Sequence, residues 1–200
     1  MFRLGLMGGT FDPPHIGHLR MALEALERLK LNELKLIPLN IPSHRNVPQA
    51  SSIARVEMLQ KVTKSPIQVD DCEIKRGGVS FTIDTVKLMR QKFPEAKIFL
   101  IIGQDSLASF KNWFCWQQLL QLTNLAIFAR DGMDSSLRDR YLKELSNYSQ
   151  DNQVIFFDSP TIMVGSTDIR EKIKQGLNVD YLLPEKVSDY IKQKGLYQNG

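Results

Sequence analysis

"FRLGLMGGTFDPPHIGHLRMALEALERL", Phe2–Leu29, changes character twice. Its first part, "FRLGLMG", is a short apolar run and reads as a buried strand that ends where the glycines begin. Its last part carries Leu19, Ala22, Leu23, Leu26 and Leu29 at helical spacing, so a helix begins near Ile16. Between them lies a tight junction with Gly8, Gly9, Pro13, Pro14, His15, Gly17 and His18. A strand feeding a helix through such a junction is the opening of a βα unit.

The rest of the chain repeats that pattern. "ELKLIPL" (33–39) reads as a strand that Pro38 brings to its end. Ile53, Val56, Leu59 and Val62 mark a helix capped by Ser51 or Ser52. "PIQVDDCEI" (66–74) reads as an edge strand, and Ile83, Val86, Met89 and Phe93 mark the next helix. "AKIFLIIG" (96–103) is a continuous apolar run from Ile98 until Gly103 stops it, as suits a strand buried on both faces of a parallel sheet. "NLAIFAR" (124–130) and "VIFFDS" (154–159) are similar, with a surface helix between them through Leu137, Tyr141, Leu142 and Leu145. "STDIREKIKQG" opens with Ser166 as N-cap and stops at Gly176; "LPEKVSDYIKQKG" has Pro184 in its first turn and Gly195 past its end. Strand and helix in alternation predict an α/β fold: a Rossmann-like, doubly wound, mostly parallel sheet with helices on both faces. Residues 1–200 are expected to form a single domain, with the helical part from about 166–200 packed on it.

Composition restricts the function classes. The 200 residues are 42% hydrophobic and 24% charged, with formal net charge +4, too mild for a nucleic-acid track. No run approaches the roughly 18 apolar residues of a membrane span. The apolar stretch at the start is too short for a signal peptide. Cys72 and Cys115 form neither a CxxC motif nor a disulfide framework, so a reduced, cytoplasmic protein is expected.

In doubly wound sheets, ligands bind outside the carboxyl ends of the strands. Four segments follow strands here: Gly8–His18, Pro42–Arg45, Gly103–Asp105 and Gly165–Arg170. In the first, Gly8 and Gly9 would let backbone approach a ligand. The helix start would favour an anion, and His15 and His18, three apart, would share one face and donate to one phosphate. Thr10 adds a hydroxyl or an N–H. The dinucleotide G-x-G-x-x-G and the P-loop G-K-[ST] are both missing, and no Cys or third His lies near enough in sequence for zinc. The plainer alternative is that the histidines merely cap the helix.

On these residues the chain resembles the HxGH nucleotidyltransferase superfamily, with His15, Gly17 and His18 as the signature. Within it, the chain is similar to the bacterial nicotinate mononucleotide adenylyltransferases through "PSHR" (42–45), "RGGVSFTIDT" (76–85), "IIGQDSL" (101–107), "FKNW" (110–113), "STDIR" (166–170) and "YLLPEKV…YI…GLY" (181–197). The resemblance implies transfer of AMP from ATP to a pyridine mononucleotide, with pyrophosphate released and Mg2+ carried by the ATP phosphates. It implies His18, His15 and Arg170 as catalytic groups. Gly8, Gly9, Thr10, His44, Arg45, Gly103, Asp105, Ser166 and Thr167 would bind ATP and its phosphates. Asp105 would accept from the ribose hydroxyls. Trp113 would stack on the pyridine ring, with Thr82 and Phe114 holding the nicotinate carboxylate through backbone N–H groups. Its partners would be small molecules, ATP and nicotinate mononucleotide.

Each role has a plainer alternative: Asp105 as a helix cap, Trp113 and Phe114 as packing aromatics, Arg170 paired with Asp168 or Glu171. Arg170 would lie in the first turn of its helix, a poor place for a cation unless an anion binds there. Two positions depart from the family pattern, Ser43 for proline and Gly165 for serine; at the second, a phosphate contact is lost or Ser166 supplies it. Acceptors other than nicotinate mononucleotide, and a regulatory module without turnover, are the competing readings.

Overall fold

The computed structural model describes residues 1–42, 47–130, 133–149, 152–159, 162 and 164–198, without the side chains of Arg130 and Ser159. The chain runs β1 (Arg3–Gly9), α1 (Ile16–Arg28), β2 (Glu33–Pro38), β3 (Ile41–Pro42), α2 (Ser52–Gln60), β4 (Ile67–Val69), α3 (Cys72–Arg76), β5 (Val79–Ser80), α4 (Thr82–Lys92) and β6 (Lys97–Gly103). It continues through α5 (Gln104–Ala108), a 3-10 turn (Phe110–Asn112), α6 (Trp116–Leu122), β7 (Asn124–Arg130), α7 (Ser135–Ser146), β8 (Val154–Ser159), α8 (Ser166–Lys174), a second 3-10 turn (Asp180–Leu182) and α9 (Glu185–Lys194).

Six strands form one sheet in the order β4-β2-β1-β6-β7-β8. Every pairing in it is parallel, as the unbroken apolar runs predict. From β1 the chain winds outward to β2 and β4, then returns to β6 and winds the other way. The order therefore reverses between β1 and β6, and a crevice opens at their carboxyl ends. Gly9 and Gly103, the last residues of those two strands, flank it.

Strand β6 shows why the sheet is buried on both sides. Ile98, Leu100 and Ile102 point to one face, against Ile83, Val86 and Met89 of α4 and Leu119 and Leu120 of α6. Phe99 and Ile101 point to the other, against Ala22 and Ala25 of α1 and Leu29 just past its end. Burying each such side chain contributes about 1.5–3 kcal/mol, so neither face can be left to solvent. A third apolar cluster joins Ala54 and Met58 of α2 to Ile169 of α8 and Val187, Tyr190 and Ile191 of α9. The C-terminal helices thus pack on the helix that follows β2.

Several expectations shift. β1 runs through both glycines, with Gly8 paired to Ile37 and Gly9 to Pro38, because neighbouring β2 continues the ladder past Met7. The edge strand is only Ile67–Val69, and Cys72–Arg76 turns into a helix. Asp70 accepts from Cys72 N and pairs with Lys35, which halts the strand there. β3 and β5 make a small second sheet that local patterning did not reveal, since each is two residues long. Ser51 does cap α2, accepting from Ala54 N at 3.2 Å. Ser166 does not cap α8: Gly165 holds the cap position and Ser166 is the first helical residue. Arg170 accordingly falls just beyond the first turn.

Candidate active site

The loop after β1 is assembled from its apolar residue outward. Phe11 has φ +52 and is 1% exposed, so its ring folds back beneath the strand end. A Cβ on Gly9 would lie 2.8 Å from that ring. Gly9 is therefore needed for packing as well as for any approach by a ligand, while the space at Gly8 is open. The Phe11 ring meets His18 edge-on, centroids 4.9 Å apart.

Asp12 fastens the loop to the body. Its carboxylate is buried and accepts from Gln49 N (2.8 Å), Ala50 N (3.0 Å) and the Tyr197 hydroxyl (2.8 Å). Arg55, at 1% exposure, donates to Thr10 O at 2.9 Å. Arg170 donates to Asp12 O at 2.8 Å, and Ser166 Oγ to Pro13 O at 3.0 Å. Helix α8 thus grips two successive carbonyls of the loop. Asp12 carries one negative charge and Arg55 and Arg170 two positive ones, so the cluster leans cationic beneath the histidines. Burial lowers the pKa of Arg55, yet a guanidinium stays protonated in proteins.

The two histidines come together as expected, and in more detail. His15 is the N-cap residue of α1, and its N–H donates to His18 Nδ1 at 3.2 Å. Accepting at Nδ1 leaves Nε2 as the protonated nitrogen of a neutral His18. The rings stack with centroids 3.7 Å apart, 28° between planes. Burial pushes the His15 pKa down to about 4, so His15 is neutral at neutral pH. Gly17 explains itself here: a Cβ would sit 3.1 Å from His15 Cε1 and Nδ1 and 3.0 Å from Val164 Cγ1. The glycine between the histidines is the hollow into which the His15 ring fits.

On the α8 side, the Ser166 hydroxyl donates to Pro13 O, so of the two readings for Gly165 this geometry favours the lost phosphate contact over its supply by Ser166 Oγ. A hydroxyl has one proton, and here it holds the loop. The backbone N–H groups at the start of α8 are unaffected by that bond. Arg170 pairs with neither Asp168 nor Glu171; it lies 3.8 Å from the Asp12 carboxylate and donates to Thr167 Oγ1 at 3.3 Å. Among the described residues no acceptor meets its buried Nε. At Gly165 a Cβ would be 3.4 Å from Asp168 Oδ2, an ordinary contact, so the missing side chain leaves no strain. His44 and Arg45 lie outside the described residues.

Across the crevice, Asp105 is exposed in the first turn of α5, where Gly103 occupies the cap position. Asp105 is thus no helix cap. Thr82 is the first residue of α4. Phe81 and Phe114 touch, centroids 5.0 Å apart, which joins the start of α4 to the segment after the 3-10 turn. Trp113 is half-buried and leans on Phe110, 5.4 Å away, while Phe114 is 57% exposed. Thr82 and Phe114 are therefore brought to one corner, with Trp113 beside Phe114 in sequence.

The sequence assigns no role to Asp12, Arg55 or Tyr197. Arg55 had a signal: it shares one face of α2 with Met58 and Leu59, an arginine on an apolar stripe. Tyr197 ends the "GLY" that is part of the resemblance, but nothing near it in sequence points to Asp12. Among the described residues, no group of three or more His, Cys, Asp or Glu side chains is placed to hold a metal ion. The Asp12 carboxylate, already accepting from three donors, does not fit a protein-held cation. No helix among the described residues is long and apolar enough to cross a membrane.

A parallel sheet with a stacked histidine pair at its switch point and a guanidinium of α8 bonded to the same loop suits a nucleotidyltransferase. The cytidylyltransferase-like family model matches residues 6–172, and the chain belongs to that family. The Bacillus subtilis (strain 168) nicotinate-nucleotide adenylyltransferase is 36% identical over 202 residues, covering 100% of each chain. A Pseudomonas fluorescens protein named "Probable nicotinate-nucleotide adenylyltransferase" is 37% identical over 208 residues, covering 98% of this chain and 97% of that one. Within the wider family, then, the chain is a member of the nicotinate-nucleotide adenylyltransferases. The Plasmodium falciparum nicotinic acid mononucleotide adenylyltransferase, solved with NaAD, shares the fold: TM-score 0.81 at 16% identity, covering 100% of this chain and 99% of that one.

Proposed function

We propose that this chain transfers AMP from ATP to nicotinate mononucleotide, giving nicotinate adenine dinucleotide and pyrophosphate in NAD biosynthesis. The observation that carries the site assignment is the His15–His18 pair, stacked at 3.7 Å with the His18 tautomer set by a backbone N–H. The attacking group is a phosphate monoester, largely ionised at neutral pH because its second pKa is about 6. It needs no general base, and no covalent intermediate is required. The work left to the protein is alignment and stabilisation of charge on the α-phosphate and the leaving pyrophosphate.

His18 donates from Nε2 to the oxygens of the α-phosphate as charge builds there. His15, kept neutral by burial, is the second donor and holds the first in register. Arg170 supplies positive charge from the α8 side, its guanidinium held by Asp12 O and Thr167 Oγ1. Gly8, Gly9 and Thr10 line the phosphate path with backbone, joined by the N–H groups of Ser166 and Thr167 and by His44 and Arg45. Gly103 and Asp105 lie along the nucleoside, with Asp105 accepting from the ribose. Trp113 stacks on the pyridine ring while the N–H groups of Thr82 and Phe114 take its carboxylate. Mg2+ enters as part of the substrate, neutralising the ATP phosphates, and no chain carboxylate is assigned to it. The chain works as one unit, residues 1–200, in the cytoplasm.

Pyrophosphate release, measured with ATP and each of nicotinate mononucleotide, nicotinamide mononucleotide and pantetheine phosphate, tests this reading. Turnover is expected to be fastest with the nicotinate form. ATP binding with no release for any acceptor would instead make the chain a nucleotide sensor.

A further inference from the structure

Tyr197 lies 185 residues from Asp12 and donates to its Oδ1 at 2.8 Å. Two features set this contact apart from ordinary packing. Tyr197 has φ +66, and Phe11, the neighbour of Asp12, has φ +52. A bulky residue in the left-handed region is strained, and it persists only where its surroundings over-determine it. Here the strain sits on both sides of one hydrogen bond. The second feature is where the bond leads. Asp12 O accepts from Arg170, and Phe11 braces His18 edge-on. The side chain of Tyr197 thus borders the residues that hold two of the phosphate-facing groups, while its ring belongs to the apolar cluster of α2, α8 and α9. Its hydroxyl is a permanent donor, because burial and the adjacent carboxylate push its pKa upward.

We propose that Tyr197 is a positioning residue for AMP transfer: through Asp12 it holds the His15–His18 loop and the Arg170 guanidinium in one frame. The inference rests on the reaction proposed above. A matched comparison exists within the same chain. Tyr190, on α9, donates instead to Glu57 Oε2 of α2 at 2.6 Å. Both tyrosines tie the C-terminal part to carboxylates, and only one tie ends at the loop.

The test compares Tyr197→Phe with Tyr190→Phe in the full chain. Both should lose some thermal stability. Only Tyr197→Phe should lower kcat, by about three- to tenfold, the effect of one ordinary hydrogen bond felt in the transition state. The KM for nicotinate mononucleotide should stay unchanged. Amide exchange at Gln49 and Ala50, which donate to the same carboxylate, should quicken in Tyr197→Phe alone. Wild-type kcat in Tyr197→Phe, or equal loss in both variants, would overturn the proposal. A wild-type protein inactive with every acceptor would sink the reaction assignment instead. In that event amide exchange alone decides the positioning role, with equal rates in the two variants counting against it.

Discussion

Gly17→Ala puts the reason for the glycine between the histidines to a direct test. An alanine in place of a glycine favours a helix by up to about 1 kcal/mol, and less in the first turn, where Gly17 lies. Against this stands the contact geometry. The new Cβ would lie 3.0 Å from Val164 Cγ1 and 3.1 Å from His15 Cε1 and Nδ1. Comfortable carbon contacts are about 3.5–4.0 Å, so the His15 ring must retreat by roughly half an ångström. Overpacking of this sort costs about 1–3 kcal/mol, which leaves a net loss of about 0–3 kcal/mol. The fold should survive with a modestly lower melting temperature. The rate should suffer more, because His15 stacks on His18 at 3.7 Å and its N–H fixes the His18 tautomer. A misplacement of about 1 Å can cost a hundredfold, so about tenfold is expected from half that. Pyrophosphate release at saturating substrates measures the rate, and a thermal melt monitors the fold. Unchanged turnover together with an unchanged or raised melting temperature would refute the reasoning, since the His15 ring would then be neither confined by Gly17 nor sensitive to place.

Three further outcomes are expected. His18→Ala should lower kcat by about a hundredfold or more, the effect of losing one preorganised donor, while urea unfolding stays cooperative; near-normal turnover would remove His18 from its role. Trp113→Ala should raise the KM for nicotinate mononucleotide by roughly tenfold or more and barely move that for ATP, as for a lost stacking face, and equal change in both would mark the indole as structural. Stability should fall on acidification because of His15, whose pKa drops from 6.5 to about 4 on burial. The unfolded chain then binds the proton more readily, so the His15 contribution is complete above pH 6.5 and lost as pH falls toward 4. That loss amounts to about 3 kcal/mol, visible in urea unfolding from pH 4 to 7 and missing from His15→Asn.

Much of the molecule was legible before any coordinates. The run "KIFLIIG" has no polar interruption, so only a strand buried on both faces accommodates it, and β6 spans Lys97–Gly103 at the centre of the sheet. Helix α1 begins at Ile16 as the spacing of Leu19, Ala22 and Leu26 requires. His15 and His18 were paired by helical periodicity alone. Elements of two residues, such as β3 and β5, carry no period to read. Ser166 was misread as a cap because the preference for serine there is local, whereas its actual partner, Pro13 O, is 153 residues away.

Strand, helix and junction order, the parallel sheet and the histidine-bearing turn follow from sequence because each depends on neighbours within a few residues. The tether around Asp12 does not: Gln49 and Arg55 near the start of α2, Arg170 on α8 and Tyr197 past α9 reach it from three distant segments. Nor does the packing demand at Gly9 and Gly17, which leave room for Phe11 and His15. Hydrogen bonds and steric contacts act over a few ångströms in space, and only the folded chain brings these groups within that reach.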